Sequence, residues 1–313
     1  MITSIFSKSK PINFLIVFVF ASLAFLTVKF RHLGPIESNG FVIKQVGTFF
    51  FAYFSILLLN FIASKNDLTQ KNNFEIILYG LFLLLLPESL LSAKVIWANF
   101  FILLALRRLI SVRSKKSVKT KLFDAAMLIT ISGLFYFWAL LFFGLIPVVL
   151  LFYSSNNIKH WLIPILGLTT IVILSMSCSV IFYNNLWEFL SIDYTIGFDF
   201  SKYDSLQFLV GLTLLCSFGA WSAIYYLRSF KNKLRVVRPT FKIVFTALII
   251  AFVIVVVTPN KNGSEWLFMF GPLAIIITNY IEIIKENWFK EVFFSVLFLT
   301  PFILFMLQLF TEG

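Results

Sequence analysis

A chain of 313 residues that is 60% hydrophobic and only 13% charged, with a mean hydropathy of +0.94, lies outside the range of a soluble domain. Its formal charge of +12 gives no case for nucleic acid, because the basic residues gather in short loops between apolar runs, where they orient a protein in a bilayer. Composition therefore predicts an all-α fold, a polytopic membrane helix bundle in which residues 1–313 form a single integral membrane domain.

Cys178 and Cys216 are the only cysteines and both fall within apolar runs, which excludes a disulfide framework and a cysteine-rich metal site and predicts a packing role. Lys8 and Lys10 precede the first apolar stretch, Ile12 to Val28, which reads as an uncleaved first span because many spans follow it. Further spans are expected over 47–63, 74–86, 95–106, 161–183, 205–227, 243–258, 266–284 and 292–310. The remaining run, "LFDAAMLITISGLFYFWALLFFGLIPVVLLFY" (122–153), would measure about 48 Å as one helix against about 30 Å of hydrocarbon.

Charge parity divides that run. The loops 107–121 ("RRLISVRSKKSVKTK") and 228–242 ("RSFKNKLRVVRPTFK") are both strongly basic and belong on the cytoplasmic side, which requires an even number of crossings between them. Reading 122–153 as a hairpin satisfies this, with its turn either near Ser132-Gly133 or near Gly144 and Pro147. The expected topology has about eleven spans, the N-terminus inside and the C-terminus outside, leaving only Lys29, Arg31, Lys44, Lys94, Lys202 and Lys261 of the Lys and Arg residues beyond the membrane. The extracytoplasmic loops are then 29–46, 87–94, 184–204 and 259–265.

Those loops hold the polar residues that topology alone does not explain. In "KFRHLGPIESNG", Arg31 has the fork to hold a phosphate or carboxylate, Lys29 and Lys44 add positive field, Glu37 is a candidate catalytic base and His32 can share that role. The same cations directly follow a span and also fit a plain anchoring role. The span starting at Phe74 climbs only about 20 Å before Pro87, which recesses Glu88 about 10 Å below the outer boundary. Lys94 opens the equally short return span. A carboxylate and an ammonium at that depth need each other, water or a charged ligand, unless Lys94 snorkels to the headgroups and Glu88 caps a turn. Loop 184–204 interleaves acids, Asp193 and Asp199 among them, with aromatics. That pattern suits carbohydrate, and it also suits the interfacial anchoring expected of aromatics and acids at an outer boundary.

Other chemistries are excluded by residue type. His32 and His160 fall on opposite sides of the membrane and build no iron centre, and no P-loop, paired metal-ligand helix or serine-histidine triad is present. Ion-coupled transport lacks charges at mid-span, since Glu75, Asp124 and Glu282 lie near cytoplasmic ends. No cofactor is implied.

An N-in first span, a polar first outer loop with an acid, a basic cytoplasmic loop and the apolar hairpin "LFDAAMLITISGLFYFWALLFFGLIPVV" together resemble, over about the first half of the chain, the multi-spanning glycosyltransferases that use polyprenyl-phosphate sugars. The resemblance implies a catalytic acid in the first outer loop, corresponding to Glu37, although this loop has one carboxylate where that family commonly has two. Two functions follow as expectations. One is a bacterial inner-membrane transferase with an outward active site, in which Arg31 and Lys94 hold the phosphate of a lipid-linked sugar, Glu37 activates the acceptor, and Glu88, Asp193 and Asp199 contact substrate. The other is a non-enzymatic subunit of an envelope assembly or secretion complex, partnered by other membrane proteins.

Overall fold

The computed structural model describes residues 2–32, 39–153, 158–186, 195–259 and 261–312. Every regular element among them is helical. In chain order they are α1 (Ile2–Phe6), α2 (Pro11–His32), α3 (Asn39–Lys65), α4 (Phe74–Leu85), α5 (Ala93–Ser111), α6 (Val118–Phe135), α7 (Leu145–Tyr153), α8 (Ile158–Tyr183), α9 (Leu206–Ser229), α10 (Arg238–Val257), α11 (Leu267–Ile283) and α12 (Asn287–Glu312). Among the described residues, eight stretches, centred on α2, α3, α5 and α8 to α12, are long and apolar enough to cross a membrane. The chain is an integral membrane protein.

The described residues divide into two compact units. The first contains residues 1–93, 199–233 and 261–313, and its centre is α4, all of whose 12 residues are buried. Around it pack α2, α3, α9, α11 and α12. The apolar run of α4 supplies the residues for burial on every side, and glycines set the closest approaches. A Cβ at Gly211 of α9 would lie 2.8 Å from Leu86 and 3.0 Å from the Leu85 carbonyl oxygen, so only glycine lets α9 come this close. Asn72 Oδ1 accepts from Phe74 N (3.2 Å) at the start of α4, and Pro87, which cannot continue the hydrogen-bond ladder, ends it.

The second unit contains residues 94–198 and 234–260. The long run 122–153 is not one helix. It breaks at Tyr136, whose backbone is extended (φ −149°, ψ 105°), and a 3₁₀ stretch, Phe137–Gly144, leads into α7. Of the two turn positions open to the sequence, the break lies by Ser132-Gly133, where the Leu140 side chain rests on the bare Cα of Gly133. Tyr136 donates its hydroxyl to Thr258 Oγ1 just after α10 (3.0 Å), while Tyr153 pairs with Thr240 Oγ1 in the first turn of α10 (3.0 Å). The segment 137–153 thus runs the full length of α10, antiparallel to it.

Cys178 and Cys216 are both exposed, whereas the sequence reading assigns them a packing role. In a membrane protein the apolar outer surface meets lipid, so an apolar run does not locate the core.

Candidate site at the C-terminal end of α4

The 3₁₀ turn Pro87–Leu90 that follows α4 carries Glu88 back against the last turn of α2, where Arg31 Nη1 lies 3.9 Å from Glu88 Oε1. The pair is partly exposed, 23% for the arginine side chain and 20% for the carboxylate. Beside Arg31, Lys29 is buried with its ammonium 5.2 Å from the Phe25 ring centroid.

A second segment, "KNGSEW" (261–266), docks on the same turn through Gly263. Its φ of +91° is in the left-handed region, and a Cβ there would lie 2.9 Å from both Glu88 Cβ and the Phe208 ring. Glycine is therefore required twice over, by conformation and by space. The adjoining residues are sealed. Glu265 accepts hydrogen bonds from the Tyr203 hydroxyl and from Gly263 N (3.3 Å), and Trp266 Nε1 donates to the Tyr203 oxygen (3.3 Å). Tyr203 stacks on Phe208 with centroids 4.2 Å apart. Lys261, only 1% exposed, places its ammonium 4.5 Å from the Phe200 ring centroid. Burial pushes the Lys261 pKa below its ordinary value, against the opposing pull of the Glu265 and Asp199 carboxylates.

Arg31 and Glu88 come together. Lys94 is exposed at the start of α5 in the second unit. Asp199 is exposed, and Oδ1 accepts from Ser201 N (2.9 Å); hydrogen bonds from the Ser201 backbone and side chain hold its carboxyl below the usual carboxylate range. His32 is the last residue of α2, while Glu37 and Asp193 lie outside the described residues. Among the aromatics of loop 184–204, Tyr203 is an interior residue, because its hydroxyl is committed to Glu265.

Two residues were missed by sequence reasoning. Gln207, in the first turn of α9 beside Phe208, is buried with neither amide atom hydrogen-bonded, and Ser89, next to Glu88, is buried with its hydroxyl in the same condition. A polar side chain one residue into an apolar span, as Gln207 is, was the available signal. The arrangement offers a guanidinium beside a carboxylate, with an unspent amide and hydroxyl nearby. It can bind an anionic group and accept or deliver a proton, which is chemistry suited to a phosphorylated or hydroxylated headgroup.

Residues 1–311 match the family described as "Family of unknown function (DUF6427)". The chain belongs to this family. No curated protein and no solved structure matches it.

Proposed function

We propose that this family member is a bacterial inner-membrane glycosyltransferase that takes its sugar from a polyprenyl-phosphate carrier at the outer face. Its topology has eleven crossings, with the N-terminus in the cytoplasm and the C-terminus outside. α4 serves as a short crossing, and α6 with 137–153 as a hairpin. The course of 137–153 along the whole of α10 supports the hairpin, and the basic loops 107–121 and 228–242 support the orientation.

The observation that carries the functional reading is the Arg31–Glu88 pair at the end of a helix of only 12 residues. A helix that short ends within the hydrocarbon thickness, so the pair is recessed where a lipid phosphate entering from the leaflet would meet it. Arg31 holds the phosphate by its fork, and Glu88, released from Arg31, joins Glu37 as a proton acceptor for the sugar-accepting hydroxyl. Asp199, in the same unit as the pair, remains a candidate substrate contact. A second reading, a non-enzymatic envelope subunit, is supported by the burial of Lys261, Glu265 and Tyr203, which commits these polar groups to the interior of the fold.

The deciding experiment extracts polyprenyl-phosphate-linked sugars from a deletion strain complemented with wild type, Arg31→Lys or Glu88→Gln. Accumulation of an unconsumed lipid-linked sugar in the deletion and in both variants, at normal protein levels, supports the transferase. An unchanged lipid profile in the deletion removes it.

A further inference from the structure

The N-terminal end of α4 holds polar groups that neither reading above uses. Contacts of Val17 and Phe20 with Gly80 set the register of α2 against α4, and the meeting of Arg31 with Glu88 at their far ends makes the two helices parallel. Asn13 and Asn73 each precede that contact, at Phe20 and Gly80, by seven residues, about two helical turns, and so return to the shared face. The link before α2 agrees with this placement, because Asn73 N donates to Phe6 O (3.1 Å) and Asn13 Nδ2 to Lys8 O (3.1 Å). α11 runs antiparallel to α4, with Phe270 against Tyr79 and Phe82 and Glu282 against the segment before α4. Thr278, one turn before Glu282, is thereby level with the start of α4.

These residues are inside the protein and have hydrogen-bonding capacity left over. Asn13, Asn73 and Thr278 are 0% exposed and Glu75 is 1% exposed. Asn13 Oδ1, both amide atoms of Asn73, Glu75 Oε2 and Thr278 Oγ1 have no hydrogen-bond partner. Buried polar atoms in a folded protein are rarely left so, and a group of them drawn from three helices points to a bound species.

We propose that the N-terminal end of α4 binds a hard monovalent cation of the Na⁺ or K⁺ class through oxygens of Asn13, Asn73, Glu75 and Thr278. The available ligands are oxygens, and among the described residues no group of three His, Cys, Asp or Glu side chains is placed to hold a transition metal. Charge selects the valence. Glu75, giving up its proton as the ion binds, supplies one negative charge. The other carboxylate within electrostatic reach, Glu282, is already answered: Oε1 accepts from Gln70 N (2.7 Å) and Asn72 Nδ2 (2.6 Å), and Lys233 and Lys290 lie in its field. A single positive charge therefore neutralises the site, whereas a divalent ion would leave excess charge in an apolar interior. Lys290 does not take that role, since its ammonium lies over the Phe74 ring, 5.5 Å from the centroid. The cation would clamp α2, α4 and α11 together and relieve the repulsion between Glu75 and Glu282.

The test uses the purified full chain in detergent, with thermal unfolding in NaCl, KCl or choline chloride at equal ionic strength and binding of radiolabelled Na⁺ by equilibrium dialysis. The expected result is a midpoint that rises and saturates with Na⁺ or K⁺ but not choline. Glu75→Gln should abolish that response, and Thr278→Val should raise the half-saturating concentration about tenfold. Should Glu75→Gln fail to fold, Thr278→Val decides alone. Equal midpoints in all three salts, or a cation response untouched in Thr278→Val, would overturn the site. A midpoint that follows pH and ignores the salt would assign Glu75 a proton instead and overturn it equally.

Discussion

α4 and α8 are both apolar helices with opposite surroundings. α4 has 12 residues and buries every one at the centre of the first unit. α8 has 26, and what it buries is a narrow stripe, Pro164, Gly167, Ile171, Ser175 and Ser179. The large side chains of α8, Ile165, Ile173 and Phe182 among them, face outward. In water, hydrophobicity drives a residue inward; in a bilayer the lipid tails satisfy an isoleucine as well as a protein core does. Small residues mark the buried side of α8. A Cβ at Gly167 would lie 2.8 Å from both Ala126 Cβ and the Phe123 carbonyl oxygen of α6.

Truncation at the two helices tests that contrast most directly. Leu83→Ala in α4 should cost about 2–4 kcal/mol through the cavity it leaves, read as a lowered unfolding midpoint in nanodiscs. Gly263→Ala, at the turn against Glu88, should cost about 2–3 kcal/mol because strain and overlap combine there; a midpoint equal to wild type would contradict the docking of "KNGSEW" on the end of α4. For α8 the damaging change is an added methyl. Gly167→Ala should cost about 1–3 kcal/mol by forcing α6 and α8 apart, and double electron-electron resonance between labels on the two helices should record the separation.

Smaller effects sharpen the picture around the sealed loop. Tyr203→Phe removes the partner of both Glu265 and Trp266 and should lower stability by about 1–2 kcal/mol in chemical denaturation. Lys261 gives a pH signature. Its folded pKa is depressed below the ordinary lysine value of 10.5, so in the window between the two values the unfolded chain holds a proton that the folded chain lacks. Stability should therefore rise as pH climbs toward 10.5, and Lys261→Met should flatten that rise. The smallest effect belongs to the outer face of α8, where Ile173→Ala should stay within about 0.5 kcal/mol of wild type.

The sequence alone determined that this is a helical membrane protein and that 122–153 exceeds one span, because hydropathy and helix rise are local quantities summed along the chain. It also singled out Glu88, through the shortness of the run before Pro87. It could not name the partner, since Arg31 and Glu88 are 57 residues apart and meet only because α2 and α4 pack in parallel. Nor could it separate the committed acid Glu265 from the exposed acid Asp199, or see that Asn13, Asn73, Glu75 and Thr278 share one end of α4 with their hydrogen bonds unspent. Burial and pairing depend on which neighbours the packing brings, and in a chain this apolar nearly every helix face is a permissible choice until tertiary contact selects one.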